Sequence, residues 1–186
     1  MPSVFNPPPA FEKENFKHNF RMGLESLYII NSTNNYDILL SRIEVFESAK
    51  KDTDDFISKN KSTAMSLITD VVDRYKHDYY DKPINDFQLN LLLGHDGKLR
   101  IQFYLECYYN SFIRHLHKQR EHISCLKQDK AIINRLKFVI QNGYSYIELI
   151  GVFNNSNKDQ YISNIKTIIE ELQKEVNGME IKKLNK

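Results

Sequence analysis

Apolar residues along this chain recur mostly at steps of three and four, the spacing that aligns side chains on one face of an α-helix. The first such stripe predicts a helix over residues 11–30, and the polar cluster Asn31–Asn35 then interrupts it. Asn, Ser and Thr side chains compete for backbone hydrogen bonds and favour turns and caps, so we expect a second helix to begin near Tyr36. The first stripe consists of Phe16, Phe20, Leu24, Leu27 and Tyr28.

Residues 36–82 predict two helices with a break between them. Apolar positions thin out after Phe46, and the heptad positions 50, 53 and 60 are polar, so a coiled-coil seam would gain nothing from burial there. We place the break near Asn60–Ser62, with Ser62 or Thr63 capping the following helix. Pro83 ends that helix, because proline disfavours helical backbone at the residue before it.

Residues 84–106 allow two interpretations. Read with a period of two, they predict a β-hairpin over 87–105 with a four-residue turn at Gly94–Gly97. Read with a helical period, Gly94 ends one helix, Asp96 caps the next, and an apolar stripe continues from Ile101 to Ile123. We favour the helices because the alternation fails over 106–126, where the helical stripe persists.

The last third of the chain predicts two further helices and a short apolar element. Asp129 is expected to cap the first helix and Asn142–Gly143 to end it, with the short element over 146–153 and a loop at Asn154–Asn157. The final helix carries the clearest stripe and should stop at Gly178. The expected fold is therefore all-α (mainly α), an irregular bundle of about seven helices. The final stripe consists of Ile162, Ile165, Ile169, Leu172 and Val176.

A chain of 186 residues fits one ordinary domain, and it is long enough to bury a core without disulfides. Four of its five prolines lie at positions 2, 7, 8 and 9, where they exclude helix. We expect a flexible proline-rich arm over residues 1–10, a single helical domain over 11–178 and a basic tail over 179–186.

Composition adds bounds on class and compartment. Hydrophobic residues make up 41% and charged residues 27% of the chain, which is typical of a globular protein, and the net charge of +2 requires neither nucleic acid nor an acidic membrane as partner. The apolar runs are too short to span a membrane and the N-terminus lacks a secretory signal, so we expect a cytoplasmic protein without membrane association. Cys107 and Cys125 are expected to be buried free thiols.

Three motifs that could carry chemistry fail on spacing. The segment Gly94–Lys98 has two residues between its glycines, whereas a phosphate-binding loop needs four. The histidines His115, His117 and His122 lie near Cys107 and Cys125, but one helix cannot close a tetrahedral zinc site. Asp73, His77 and Asp81 share one helical stripe without a matching set on a facing helix, which is typical of an exposed charged surface. We therefore expect no metal and no cofactor.

The most informative polar feature is a run of basic residues between positions 114 and 137, which contains only Glu121 and Asp129 as acids. Such a stripe can hold phosphates, and neighbouring aromatic rings can stack on bases. It can equally be a solvated surface that pairs with acidic helices. The basic residues are Arg114, Lys118, Arg120, Lys127, Lys130, Arg135 and Lys137, and the rings nearest to them are Tyr108, Tyr109 and Phe112.

The leading functional hypothesis is a non-enzymatic interaction or regulatory domain that binds a protein partner through the helix at about 100–127. Tyrosine-rich helical surfaces are common where helices meet a partner. The alternative is a nucleic-acid-binding accessory factor that uses the basic stripe over 114–137. The histidine cluster would be the only seat for an enzyme, and self-association into a homo-oligomer remains open.

Overall fold

The computed structural model describes residues 8–126 and 129–184. Over these residues the chain forms seven α-helices and no β-strand, which confirms the all-α prediction. Residues 1–7 of the predicted arm lie outside the described part, and the first helix begins at Ala10. The helices are α1 (Ala10–Ser32), α2 (Tyr36–Lys59), α3 (Lys61–Asp78), α4 (Asp86–Leu93), α5 (Gly97–Ser124), α6 (Asp129–Gly151) and α7 (Lys158–Leu184).

The predicted starts and breaks in the first half of the chain are largely confirmed. Helix α2 begins at Tyr36, and the side-chain oxygen of Asn35 accepts a hydrogen bond from the Ile38 N–H at 3.0 Å. The break between α2 and α3 falls at Asn60, which is the N-cap residue of α3, so the prediction of Ser62 or Thr63 as the cap is wrong. Asn60 forms no side-chain cap bond there.

The hairpin interpretation of residues 87–105 is wrong, because α4 and α5 occupy this segment. Helix α4 begins with a capping box in which the Asn85 side chain accepts from the Gln88 N–H at 2.8 Å and the Gln88 side chain accepts from the Asn85 N–H at 3.2 Å. These two reciprocal bonds satisfy backbone donors that a helix end leaves free. The Asn-x-x-Gln spacing was present in the sequence as a signal for this helix start.

Two glycines that were predicted to end helices lie inside them. Helix α6 continues past Gly143 to Gly151, and α7 continues past Gly178 to Leu184. A Cβ atom at Gly143 would lie 2.8 Å from Ile169 Cδ1 and 3.2 Å from Phe112 Cζ. Gly143 is therefore a close-packing residue, and the absence of a side chain lets α7 and α5 approach α6.

The helices group into two compact units. The first comprises the described residues up to Ser32 together with Leu40–Asp96, and α1 packs against α3 and α4 within it. Phe16 stacks on Phe56 with ring centroids 4.1 Å apart, and a Cβ at Gly23 would lie 3.1 Å from Leu92 Cδ2. Burial of these rings and aliphatic side chains is the main source of stability of this unit.

The second unit comprises Thr33–Leu39 together with the described residues from Gly97 onwards. Helix α6 packs against both α5 and α7, and the predicted stripe of α7 is buried from Ile165 to Val176. The first turn of α2 belongs to this unit, since Leu39 is fully buried in it and Tyr36 contacts the ring of Tyr146 edge-on at 5.2 Å. This contact brings a segment from early in the chain onto the surface of α5 and α6.

Candidate binding cleft of the second unit

Formal charge divides unevenly between the two units. The first unit has 11 Lys and Arg residues against 14 Asp and Glu, a formal charge of −3. The second has 15 Lys and Arg against 10 Asp and Glu, a formal charge of +5. The small net charge of the whole chain therefore conceals a basic second unit.

A cleft of about 310 Å³ opens on this basic unit, and we call it the basic cleft. One wall comes from α5 through His115, Lys118 and Gln119, which lie three and four residues apart and so share a helix face. The facing wall comes from α6, whose lining residues follow the same spacing. They are Arg135, Phe138, Asn142 and Tyr146.

The N-terminal end of α2 closes the basic cleft, through residues 34–37. Arg114 holds this segment in place, because its guanidinium donates to the Thr33 carbonyl oxygen at 2.9 Å. The N-terminus of a helix carries a partial positive charge and free N–H groups. The basic cleft therefore has a third source of positive potential besides Lys118 and Arg135.

The structure separates the predicted basic residues into different environments. Lys118, Arg120 and Lys130 are exposed, and the Arg135 guanidinium lies 3.1 Å from Nε2 of His122. Because arginine is always a donor, His122 accepts this bond through Nε2. Lys137 pairs with Glu180 at 2.8 Å, and Lys127 lies outside the described residues. Of the predicted basic residues that the structure describes, Lys118 and Arg135 line the basic cleft.

The predicted stacking rings lie elsewhere. Tyr108 and Phe112 are 2% and 0% exposed, because they share the core face of α5 with Leu105 and Leu116. Tyr109 is half-buried and stacks on Tyr161 with ring centroids 5.1 Å apart. The two buried rings therefore present no surface to a partner in this structure.

Two aromatic residues that the sequence reasoning missed line the basic cleft instead. Phe138 is 47% exposed, and Tyr36 is half-buried at the start of α2. The α6 spacing of Arg135, Phe138 and Asn142 was visible in the sequence as a helical face that mixes a cation, an aromatic ring and an amide. The contribution of Tyr36 had no sequence signal, since it depends on how α2 meets α5 and α6.

His115 is the buried titratable group of the basic cleft, at 9% exposed. Its Nε2 lies 3.2 Å from the Asn142 amide nitrogen, and because that nitrogen can only donate, Nε2 accepts and the ring is neutral. Burial lowers the pKa of His115 below its ordinary value, and the positive charges of Lys118 and Arg135 lower it further. Burial and the two neighbouring cations therefore both favour the neutral form of the imidazole.

Two buried polar atoms on α5 are unsatisfied. Gln119 Oε1 and Arg114 Nε have no hydrogen-bond partner among the described residues. A buried polar group without a partner costs roughly 1–3 kcal/mol, so such groups are uncommon outside binding sites. The Gln119 side chain lines the basic cleft.

The remaining candidate chemistry does not assemble into a site. Within residues 8–126 and 129–184, no group of three or more His, Cys, Asp or Glu side chains is placed to hold a metal ion. In the first unit, His77 and Asp73 lie along an open groove of about 790 Å³ between α1 and α3. That groove carries both signs of charge, and Arg21 already bonds Asp78 and Glu25, each at 3.3 Å.

The two cysteines differ in burial. Cys107 is 2% exposed and its burial raises the pKa of the thiol to about 12, so it is an inert core residue. Cys125 is exposed, so the prediction that it is buried is wrong. It follows the last residue of α5, where the helical stripe has ended.

Comparison with protein-family models, with curated proteins and with solved structures finds no match for this chain. The described helices also include none that is long and apolar enough to cross a membrane. The two cations of the basic cleft, Lys118 and Arg135, and the N-terminal end of α2 are suited to binding an anionic group.

Proposed function

We propose that this protein is a non-catalytic binding and regulatory protein of the cytoplasm, and that its second unit docks an acidic segment of a partner protein in the basic cleft. The observation that carries the proposal is the convergence of Lys118 and Arg135 from two helices on a cleft where Asp37 is the single carboxylate among the described lining residues. Complementary charge steers association and selects the partner.

The shape of the charged surface favours a compact protein segment over a nucleic-acid backbone. A nucleic acid needs a row of cations that follows its phosphates. Here Arg114 is engaged by Thr33, Lys137 is engaged by Glu180, and Arg120 lies about 160° around α5 from Lys118. The pair at the cleft, Lys118 and Arg135, can bind one localised anionic group.

Apolar side chains at the same place support a protein partner. Phe138 is 47% exposed at the cleft and Ile38, in the first turn of α2, is 46% exposed. Interfaces between proteins bury aromatic anchors beside arginine and are surrounded by a polar rim. An acidic segment with an apolar neighbour would contact both kinds of group.

Site-specific photocrosslinking in the native cell tests the proposal. The photoreactive residue p-benzoylphenylalanine is placed at Phe138 and, as a matched control, at Tyr144, which is 52% exposed on the same helix but about 120° around it. We expect one discrete protein adduct at position 138 and none of that size at 144. The double change Lys118→Glu and Arg135→Glu should abolish the adduct, whereas Lys166→Glu and Lys174→Glu on α7 should not.

Two results would contradict the proposal. Equal adducts at 138 and 144 would show that the basic cleft is not the docking surface. An adduct that disappears after nuclease treatment would instead support the nucleic-acid alternative, in which case binding to RNA or DNA should weaken steeply with added salt.

A further inference from the structure

Three sources of positive potential converge on the basic cleft. Lys118 extends from α5, Arg135 extends from α6, and the 24-residue helix α2 directs its N-terminal end at the same cleft. A helix N-terminus binds anions because its first N–H groups point at the ligand and its dipole favours negative charge. A phosphate group carries about −1.5 to −2 charges at neutral pH and three strong acceptor oxygens.

The N-terminal end of α2 has backbone N–H groups that could bind an anion. Asn35 caps the helix by accepting from the N–H of Ile38, the third helical residue. The N–H groups of Tyr36 and Asp37 precede it and have no acceptor among the described residues. These two donors lie on the wall of the basic cleft, where an anion oxygen could accept from them.

The Gln119 side chain is a further polar group on the wall of the basic cleft. Its Oε1 is buried and unpaired, and the side chain lines the basic cleft. Because the two ends of an amide are interchangeable by rotation, Gln119 can present either its Nε2 to a phosphate oxygen or its Oε1 to a protonated one. With the amide turned so that Nε2 faces the cleft, Gln119 would donate to a bound phosphate.

We infer that the basic cleft receives a phosphate monoester carried by the partner segment, held between Lys118, Arg135 and the N-terminal end of α2. This inference rests on the proposed function and names the chemistry of the docked group. The volume of about 310 Å³ lies at the lower end of the range for ligand sites, which suits one phosphorylated side chain better than a larger cofactor. The exposed Phe138 ring on the wall of the cleft offers an apolar contact to a neighbouring residue of that segment.

The charged and titratable groups around the basic cleft predict how phosphate binding responds to substitution of a charged residue. Lys118 and Arg135 attract a phosphate, and the Asp37 carboxylate at the end of α2 repels it. His115 accepts a bond from Asn142, His122 accepts one from Arg135, and the hydroxyls of Tyr36 and Tyr146 are neutral near pH 7. Asp37→Asn should therefore bind phosphate about 1.4- to fivefold more tightly, since an exposed charge contributes roughly 0.2–1 kcal/mol.

The test uses small probes and the full chain. Binding of N-acetyl-O-phosphoserine N-methylamide, of its glutamate counterpart and of inorganic phosphate is measured by NMR, with the Gln119 and Asn142 side-chain amides as reporters. We expect saturable shifts with the phosphoserine probe, at least tenfold weaker binding of the glutamate probe, and weaker binding of inorganic phosphate, which lacks the peptide groups. Lys118→Gln with Arg135→Gln should reduce phosphoserine binding at least tenfold, and Lys166→Gln with Lys174→Gln should leave it unchanged.

Two results would contradict separate parts of the inference. Equal binding of the phosphoserine and glutamate probes would overturn phosphate selectivity. Equal binding of phosphoserine and inorganic phosphate would show that a free anion, not a partner segment, is the ligand. Circular dichroism of the double variant checks that its helices are intact, and Asp37→Asn gives a second readout in the opposite direction.

The inference and the proposed function can fail separately. If the Phe138 adduct survives phosphatase treatment of the cell extract before crosslinking, the partner docks without a phosphate and only the inference fails. If the phosphoserine probe binds but no adduct forms at position 138 in the cell, the cleft is a phosphate site without the proposed partner.

Discussion

The Ser111 hydroxyl oxygen lies 2.8 Å from the Tyr146 hydroxyl oxygen, and both side chains are 0% exposed. This hydrogen bond joins α5 to α6 beneath the basic cleft, and the ring of Tyr36 packs edge-on against Tyr146 from the other side. Because both hydroxyls are buried, each would lack a hydrogen-bond partner without this bond. The cost of that unpaired polar group exceeds the net strength of the bond itself.

Removal of the two hydroxyls should have unequal effects. Ser111→Ala leaves the Tyr146 hydroxyl buried without a partner and should cost about 1–3 kcal/mol of unfolding free energy. Tyr146→Phe should cost less, because a helical serine can turn its hydroxyl to the carbonyl oxygen four residues earlier. Urea denaturation of the two single variants and the double variant measures this, and the double variant should be closer to wild type than the sum of the singles. Equal losses in the two singles would contradict the asymmetry.

The two glycines inside α6 and α7 should respond oppositely to alanine. Gly143→Ala places a methyl group 2.8 Å from Ile169 Cδ1 and should destabilise the protein by about 1–3 kcal/mol. Gly178→Ala meets no atom within 4 Å and should stabilise it by about 0.5–1 kcal/mol, since alanine favours helix over glycine. Thermal denaturation gives both values. Ile169→Val, which removes one of the two Ile169 atoms within 3 Å of the new methyl group, should restore part of the loss only in the Gly143→Ala background.

The low pKa of His115 predicts loss of stability in acid. A histidine whose pKa in the folded protein lies below its value of 6.5 in a model peptide binds a proton more readily when unfolded. The contribution of neutral His115 to the unfolding free energy is therefore complete above pH 6.5. It declines as the pH falls through the lower pKa of the folded protein. We expect His115→Gln to flatten the decline in unfolding free energy below pH 6.5, by at most about 1.4 kcal/mol per pH unit for one proton. His117→Gln, at an exposed site on α5, controls for the general effect of replacing an imidazole.

The Lys50–Asp54 pair in the first unit should be sensitive to which partner is removed. Lys50 is 4% exposed and its ammonium nitrogen lies 2.7 Å from Asp54 Oδ1, whereas about a third of the Asp54 side chain is exposed. Asp54→Ala leaves a buried ammonium unpaired and should cost about 2–3 kcal/mol, a value reduced by the partial exposure of the pair. Lys50→Met keeps the aliphatic stem and should change stability by less than about 1 kcal/mol. Equal losses from the two variants would show that the ion pair itself stabilises the unit.

Much of the helical architecture could be predicted from the sequence. The periodic spacing of apolar residues identified the stripes of α1 and α7, which the structure buries for the most part. The polar cluster at Asn31–Asn35 correctly placed the start of α2. Helix ends at glycine could not be predicted as well, because the sequence does not distinguish a glycine that ends a helix from one that admits a neighbour. Gly143 is of the second kind, and only its 2.8 Å approach to Ile169 shows it.

The candidate site was less predictable than the fold. Charge clustering identified Lys118 and Arg135 as members of a basic stripe, but not that they converge while Lys137 pairs with Glu180. The predicted stacking rings lie close to the basic residues in sequence, yet Tyr108 and Phe112 face the core. The grouping of helices into two units also has no local signal, because it depends on which apolar faces meet.

The short segment Thr33–Leu39 has a consequence for how the second unit is made. It precedes Gly97 by almost 60 residues, yet it supplies the carbonyl group that Arg114 binds and the ring that packs on Tyr146. A fragment that starts at Gly97 would contain α5, α6 and α7 but would lack one wall of the basic cleft. The cleft can therefore be completed only after the ribosome has synthesised α6, when a segment made much earlier returns to it, and the order of synthesis differs from the order of assembly.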